Sequence, residues 1–362
     1  MSADQAADDM AIERDAASTP HSDTLRQTGG GTAASKPTAR KAGLVAGLRR
    51  WGAWIRVAIS IGLIYVVLQQ TSLGEVGAVL GSTLERWPYL AVAALLPILG
   101  TLFAALRWWV LLGGLGATPG IRALYGAILV GSFFNYFLPS TIGGDVARSW
   151  WIQRTLGSGV LSLTVVGVDR LVGLVGICAV GLIAAAFQPS LVGGLPHIWV
   201  VTAVIILGLA ALAALHHPAA AVLGRWAFSL PVLRLVRDKA ATAYKGLVSL
   251  RHAKWRLVAG FVFSIGLQVM IVLQFFAFSS ALGSEISLAG VAVLVPVVTL
   301  VTLLPLTING IGLRETALAV LGAAFGLTVE DAIAMAWLFL GVHLLYAVIG
   351  GLIFMLGRAQ RQ

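Results

Sequence analysis

The chain has 362 residues, 58% of them hydrophobic and 11% charged, with a net charge of +10 and a mean hydropathy of +0.91. Soluble domains carry about 25% charged residues, so a chain this long and this poor in charge lacks the polar surface to fold in water and reads as a polytopic membrane protein. Its cations cluster beside apolar runs, which points to topology and anionic headgroups and away from nucleic acid, and a single cysteine, Cys178, excludes a disulfide framework.

Residues 1–50 are rich in Ala, Ser, Thr, Asp and Gly, acidic at first (Asp4, Asp8, Asp9, Glu13) and basic later (Lys36, Arg40, Lys41, Arg49, Arg50). This composition predicts a disordered cytosolic tail ending in a juxtamembrane basic patch. No cationic start with a short apolar core and a small-residue cleavage site is present, so a cleaved signal peptide is not expected. Apolar stretches then follow at 54–70, 89–112, 121–138, 160–187, 197–216, 257–282, 288–304 and 332–356. Each is near the ~20 residues a hydrocarbon core requires. Tryptophans near their ends read as interfacial anchors: Trp51, Trp54, Trp87, Trp108, Trp109, Trp150, Trp151, Trp199, Trp226, Trp255 and Trp337.

One phrase occurs twice. Residues 138–148 read LPSTIGGDVAR and residues 304–314 read LPLTINGIGLR, so that Leu138/Leu304, Pro139/Pro305, Thr141/Thr307, Ile142/Ile308, Gly144/Gly310 and Arg148/Arg314 coincide without a gap. Each copy interrupts an apolar segment with Pro and Gly and sets an arginine just past the break. Paired broken segments in corresponding halves of a membrane protein point to a substrate site between two repeats.

Charge decides the topology. If all eight stretches crossed, the loop 218–256, with eight Lys and Arg against Asp238 alone, would lie outside the cell and break the positive-inside rule. If 121–143 and 288–313 instead enter and return on one side, that loop is cytosolic with both termini, and Glu75, Glu85, Glu285, Glu330 and Asp331 lie outside. The expected architecture is therefore all-α: six full transmembrane helices plus two re-entrant, broken segments. Three crossings separate the two broken segments, so they enter from opposite faces and the repeat is inverted. The expected division is a tail over 1–50, a membrane domain over 51–357 with 218–256 as a basic cytosolic loop, and a cytosolic tail over 358–362.

Pro139 and Pro305 cannot continue a helix. Gly143, Gly144, Gly310 and Gly312 allow tight backbone and close approach to a ligand. Asp145 and Asn309 are expected N-caps of the helices that follow, whose free amides suit an anion. Arg148 and Arg314 in the first turn oppose the helix dipole, and a phosphate held by two parallel hydrogen bonds would compensate. Local pairing, Arg148 with Asp145 and Arg314 with Glu315, or snorkelling to the interface, is the alternative. Asp169 and Arg170, inside an apolar stretch, read either as a mutually neutralising pair or as a cavity-facing gate. Arg107, followed by two tryptophans, reads as an interfacial anchor. His343 reads as a helix-packing hydrogen bonder, and Gln268 and Gln274 as glue between helices. The chain contains no phosphate loop, HExxH, paired CxxC or GxSxG motif, so no ATPase, metal or acyl-transfer centre is expected; neither catalytic residues, nor a metal, nor a cofactor is anticipated.

RWWVLLGGLG at 107–116, GSFFNYFLPSTIGGDVAR at 131–148, VDRLVGL at 168–174 and LLPLTINGIGLRE at 303–315 together resemble the flippase-like integral membrane family, which includes the transmembrane region of lysylphosphatidylglycerol synthases. The likeness spans about residues 50–357. It implies a lipid-translocating domain with broken helices around a central cavity, and it carries headgroup contact onto Asp145, Arg148, Arg314 and Glu315 and a gate onto Asp169 and Arg170. Thr141, Gly143, Gly144, Thr307, Asn309 and Gly310 join the site from the repeated phrase itself. Bifunctional synthases add a soluble aminoacyl-transferase domain after the membrane region. This chain stops at Gln362, so the resemblance implies transport of a phospholipid, aminoacyl-phospholipid, hopanoid or polyprenyl phosphate rather than aminoacyl transfer. A small-solute secondary transporter and an enzyme acting on a lipid-linked sugar are the competing readings. The expected partners are membrane lipids, anionic phospholipid or polyprenyl phosphate, with a homodimer and a separate lipid-modifying enzyme as further candidates. The expected location is the cell membrane.

Overall fold

In a computed structural model of the chain, the described residues are 58–66, 69, 73–137, 143–157, 159–187, 253–304 and 306–359. The tail 1–50, the apolar stretch 197–216, nearly all of the basic loop 218–256, Leu138–Ile142 (Thr141 among them) and Pro305 lie outside them. Among the described residues every regular element is a helix. They are α1 (58–66), α2 (Leu73–Ser82), α3 (Trp87–Gly114), α4 (Ile121–Phe137), α5 (Gly143–Leu156), α6 (Gly159–Ala186), α7 (Lys254–Leu282), α8 (Leu288–Thr302), α9 (Leu313–Gly322) and α10 (Val329–Ala359).

The helices fall on the apolar runs of the sequence. Four spans are long and apolar enough to cross a membrane: Val76–Gly114, Val165–Ala186, Lys254–Leu282 and Val329–Leu356. Ile121–Phe137 and Leu288–Thr302 are apolar but shorter, and they are the two stretches that lead into the repeated phrase. The helix α2 has no counterpart among the expected segments. It is ten residues long and is held by Val76, which packs with Ile333 and Trp337 of α10.

The elements repeat as two quartets, α3–α6 and α7–α10, each running long helix, short apolar helix, short helix, long helix. The first helix of each quartet ends the same way. Gly116 and Gly283 take left-handed φ of 79° and 78°, and the amides one residue on, Ala117 and Ser284, return to Leu112 O and Ser279 O, both at 3.0 Å. This is the glycine-terminated Schellman closure, which satisfies carbonyls left open at a helix end. Left-handed glycines recur at Gly157 and Gly326, ahead of the last helix of each quartet.

The quartets interlock. The first helices, α3 and α7, pack along their length and run antiparallel, with Arg86 against Gly283 at one end and Arg256 against Gly113 at the other. Each short apolar helix packs on the last helix of the other quartet, α4 on α10 and α8 on α6. Pro97 inside α3 leaves the carbonyl of Ala93 without its helical donor. Gln274 of α7 supplies one at 3.0 Å, and the Tyr346 hydroxyl of α10 bonds the next carbonyl, Ala94, at 2.6 Å. Gln274 thus joins two helices as the sequence suggests. Two cores form, one mostly from the first quartet around Trp108, Leu111, Leu112 and Leu124, the other mostly from the second around Phe278, Leu294, Leu318 and Met335, with Ala93 of α3 and Val180 of α6 joining it. Outward faces carry Leu95, Leu99, Leu345, Ile349 and Leu352 in the open, the surface expected to meet acyl chains. Trp87 and Trp255 are exposed at helix starts, whereas Trp108 is buried at 1% exposure and is not an interfacial anchor.

Candidate functional site

The first broken segment is a hairpin of α4 and α5. Its fold depends on Gly144, where a Cβ would collide with the Asn135 side chain and the Gly131 carbonyl of α4. The Asn135 carboxamide then accepts from the Gly144 amide at 2.9 Å. Asp145 is therefore not the N-cap: α5 begins two residues earlier, at Gly143, and a side chain of the preceding helix serves the amide. Gly144 makes room for a neighbouring helix rather than for a ligand. The hairpin is latched to α6 by Ser149 and Ser162, whose hydroxyls lie 2.7 Å apart.

Five charged side chains converge beside this hairpin. Arg107 Nε of α3 donates to Asp169 Oδ1 of α6 at 2.6 Å, and Arg107 Nη1 donates to Ser264 Oγ of α7 at 3.1 Å. Arg148 Nη2 reaches Asp145 Oδ1 at 2.8 Å and Asp169 Oδ2 at 3.3 Å, and its guanidinium lies over the Trp108 ring, 4.7 Å from the centroid. Arg170 Nη2 meets Asp145 Oδ2 at 2.8 Å. Arg107, Arg148, Asp145 and Asp169 are largely buried, while the side chain of Arg170 is 47% exposed.

Several expectations change here. Asp169 and Arg170 do not neutralise each other, because adjacent helical positions face apart; Asp169 turns inward to Arg107 and Arg148, and Arg170 turns outward to Asp145. Arg107 is not an interfacial anchor but a buried member of the network. The local pairing of Arg148 with Asp145 is present, extended by Asp169. These groups line a cavity of about 370 Å³ with Asn135, Gln268 and, from the second broken segment, Leu303. Three arginines against two aspartates leave one positive charge in excess.

The second broken segment connects α8 to α9. Asn309 takes a left-handed φ of 51°, and Gly310 and Gly312 take 77° and 85°, so the chain coils tightly before α9. It docks on α1, whose Ser60 hydroxyl accepts from the Ile308 amide at 3.2 Å. The N-cap of α9 is Gly312, not Asn309. Glu315, buried at 3% exposure, accepts from the Gly312 amide at 2.7 Å and makes no ion pair with Arg314 among the described residues. Arg314 lies over the Phe339 ring of α10, 4.4 Å from the centroid, and its Nη2 reaches the Asn309 carbonyl at 3.4 Å. Tyr136, from α4, stands against both Asn309 and Arg314, so the end of the first broken segment meets the second. Thr307 is buried at 1% exposure.

Of the residues expected at the site, Asp145, Arg148, Asp169 and Arg170 line the cavity, Gly143 and Gly144 open α5 beside it without lining it, and Thr307, Asn309, Gly310, Arg314 and Glu315 belong to the second segment. Sequence reasoning missed Arg107, Ser264, Asn135 and Tyr136 as participants. His343 bonds Phe339 O of its own helix at 3.0 Å rather than a neighbouring helix. No metal-binding cluster occurs among the described residues.

The family model for the lysylphosphatidylglycerol synthase transmembrane region matches residues 53–351. No curated protein and no solved structure matches the chain. The match covers most of the chain, which belongs to this family and is a multi-pass membrane protein related to lipid handling.

Proposed function

We propose that this member of the lysylphosphatidylglycerol synthase transmembrane-region family carries a phosphate-bearing lipid from one leaflet of the cell membrane to the other. The observation that carries the reading is the cavity at Arg148, walled by the first broken segment, touched by Leu303 of the second, and left with one positive charge in excess. A headgroup phosphate would neutralise that excess while its acyl chains remain in the bilayer. Anionic phospholipid, aminoacyl-phospholipid and polyprenyl phosphate all present this chemistry.

The topology we propose has six full crossings, two re-entrant segments in inverted orientation, and both termini cytosolic. Two features support it. With 17 and 15 residues, α4 and α8 are about 26 and 23 Å long at 1.5 Å per residue, short of a ~30 Å hydrocarbon core. Equivalent helices α3 and α7 run antiparallel, as inversion requires. Non-helical backbone at that depth is tolerated where it lines a cavity or is covered by protein. The carrier moves the lipid without altering it, and a separate enzyme makes the substrate.

The test is reconstitution. Proteoliposomes containing the full chain and a fluorescent phosphatidylglycerol should expose that lipid to an external quencher without ATP, faster than protein-free vesicles, and the recovered lipid should be chemically unchanged. Uptake of a soluble solute with no lipid movement would replace this reading by a solute transporter. A new lipid species in the extract would replace it by an enzyme.

A further inference from the structure

The two arginines of the repeated phrase stand in different environments. Arg148 has two carboxylates, Asp145 and Asp169, within 3.3 Å. Arg314, equally inward at 8% exposure, has a ring and a backbone carbonyl but no carboxylate at ion-pair distance among the described residues. Its Nη1 is buried without a hydrogen-bond partner, and so is Thr307 Oγ1; the Asn309 side chain meets Tyr136. Arg148 leaves only Nε in that condition.

Buried polar atoms in native proteins are nearly always paired, and each exception calls for an explanation. Here two exceptions fall within eight residues of one segment, and both can donate a hydrogen bond. One of them carries a full positive charge in surroundings that would otherwise be costly for it. The segment opens a ten-residue helix whose dipole also favours negative charge. The Gly312 amide there is already taken by Glu315, so the side chains rather than that amide are the available donors.

We infer that Thr307 and Arg314 form a seat for the oxygens of a phosphate mono- or diester in the second broken segment, separate from the cavity at Arg148. This deepens the transport reading and rests on it, because the phosphate is that of the carried lipid. The carrier then has two unequal stations: one at Arg148, where aspartates already balance most of the charge, and one at Arg314, where the ligand supplies the counter-charge. Tyr136 lies between the two segments, against the second seat.

The full chain in detergent micelles is titrated with dioctanoyl phosphatidylglycerol, inorganic phosphate and dioctanoylglycerol, and unfolding is followed by tryptophan fluorescence. The phosphatidylglycerol should raise the melting midpoint and dioctanoylglycerol should not. In Arg314→Gln the half-effect concentration should rise at least about tenfold, about 1.4 kcal/mol, the low end for a lost hydrogen bond to a charged group. Thr307→Val, which keeps volume and removes only the hydroxyl, should raise it about fivefold and serves if the arginine variant fails to fold. Without ligand, Arg314→Gln should melt no lower than wild type, because it removes a buried charge that lacks a counter-charge. A lower midpoint with an unchanged titration would make Arg314 structural and overturn the inference, as would wild-type titrations in both variants. Inorganic phosphate acting as strongly as the lipid would keep the seat and reject its lipid source. Scrambling lost with the titration intact rejects the transport reading alone; scrambling intact with unaltered titrations in the variants rejects the seat alone.

Discussion

Replacing Asp169 by Asn keeps the shape of the side chain and removes the charge that two buried arginines share. Asp169 accepts from Arg107 Nε at 2.6 Å and from Arg148 Nη2 at 3.3 Å, and its side chain is 3% exposed. At an effective dielectric of ~20 the gross attraction to each guanidinium is about 5–6 kcal/mol, most of it offset by desolvation of the three groups. The loss of one partner from a buried pair costs about 3–5 kcal/mol, because the other charge stays behind uncompensated. Asparagine can still accept from Arg107, so Asp169→Asn should fall near the lower end, about 3 kcal/mol. Arg107→Gln should cost somewhat less, since Asp169 retains Arg148. The double variant should be less destabilised than the sum, with a coupling of about 2 kcal/mol. The assay is SDS-induced unfolding in mixed micelles for the wild type, the two single variants and the double variant. A coupling below about 0.5 kcal/mol, the level at which independent sites add, would show that Arg107 and Asp169 do not share a charge network and would refute the reasoning.

Gly144→Ala should cost at least about 1–3 kcal/mol in the same assay, because the added methyl meets the Gly131 carbonyl; Asn135→Ala in that background should not restore stability, since the backbone contact remains. Glu315→Ala should cost about 1 kcal/mol through loss of the cap on the Gly312 amide, and a wild-type unfolding curve would show that α9 is capped otherwise. Single cysteines at Lys239 and Gln362 on a Cys178→Ser background should resist an impermeant thiol reagent outside intact cells, and labelling of Lys239 would break the proposed inverted topology.

Six helices were legible as apolar runs: α3, α4, α6, α7, α8 and α10 start and stop within a few residues of the hydropathy boundaries. Of the rest, α2 is short and contains Gly74, Gly77 and Gly81, so neither length nor propensity announces it; its Val76 gains its place from contact with α10. The repeated phrase located both site segments, but partners could not be read from neighbours in sequence. Asp169 stands beside Arg170 in the chain and yet bonds Arg107, 62 positions away. Arg107 was misread for a physical reason: an arginine before two tryptophans is ordinarily a feature of the membrane interface, and only the packing of α3 against α6 and α7 turns it inward. Asp145 and Asn309 resemble caps because caps are local, whereas the first of these ends is served by Asn135 from the preceding helix and the second by Glu315 within the helix it opens.

The crossed packing of the quartets also bears on how the chain is made. Leu129 of α4 lies against Gly350 of α10, so a helix finished early in translation finds its partner only when the last helix leaves the ribosome. At 5–20 residues per second that interval is on the order of ten to forty seconds. Throughout it, the apolar face of α4 that Gly350 and Gly351 later meet at Leu129 and Phe133 has to be sheltered by lipid or the insertion machinery rather than by its own fold. Assembly in the membrane is then a late event, and a nascent chain halted inside α10 would hold every charged residue of the cavity but not the surface that closes over α4.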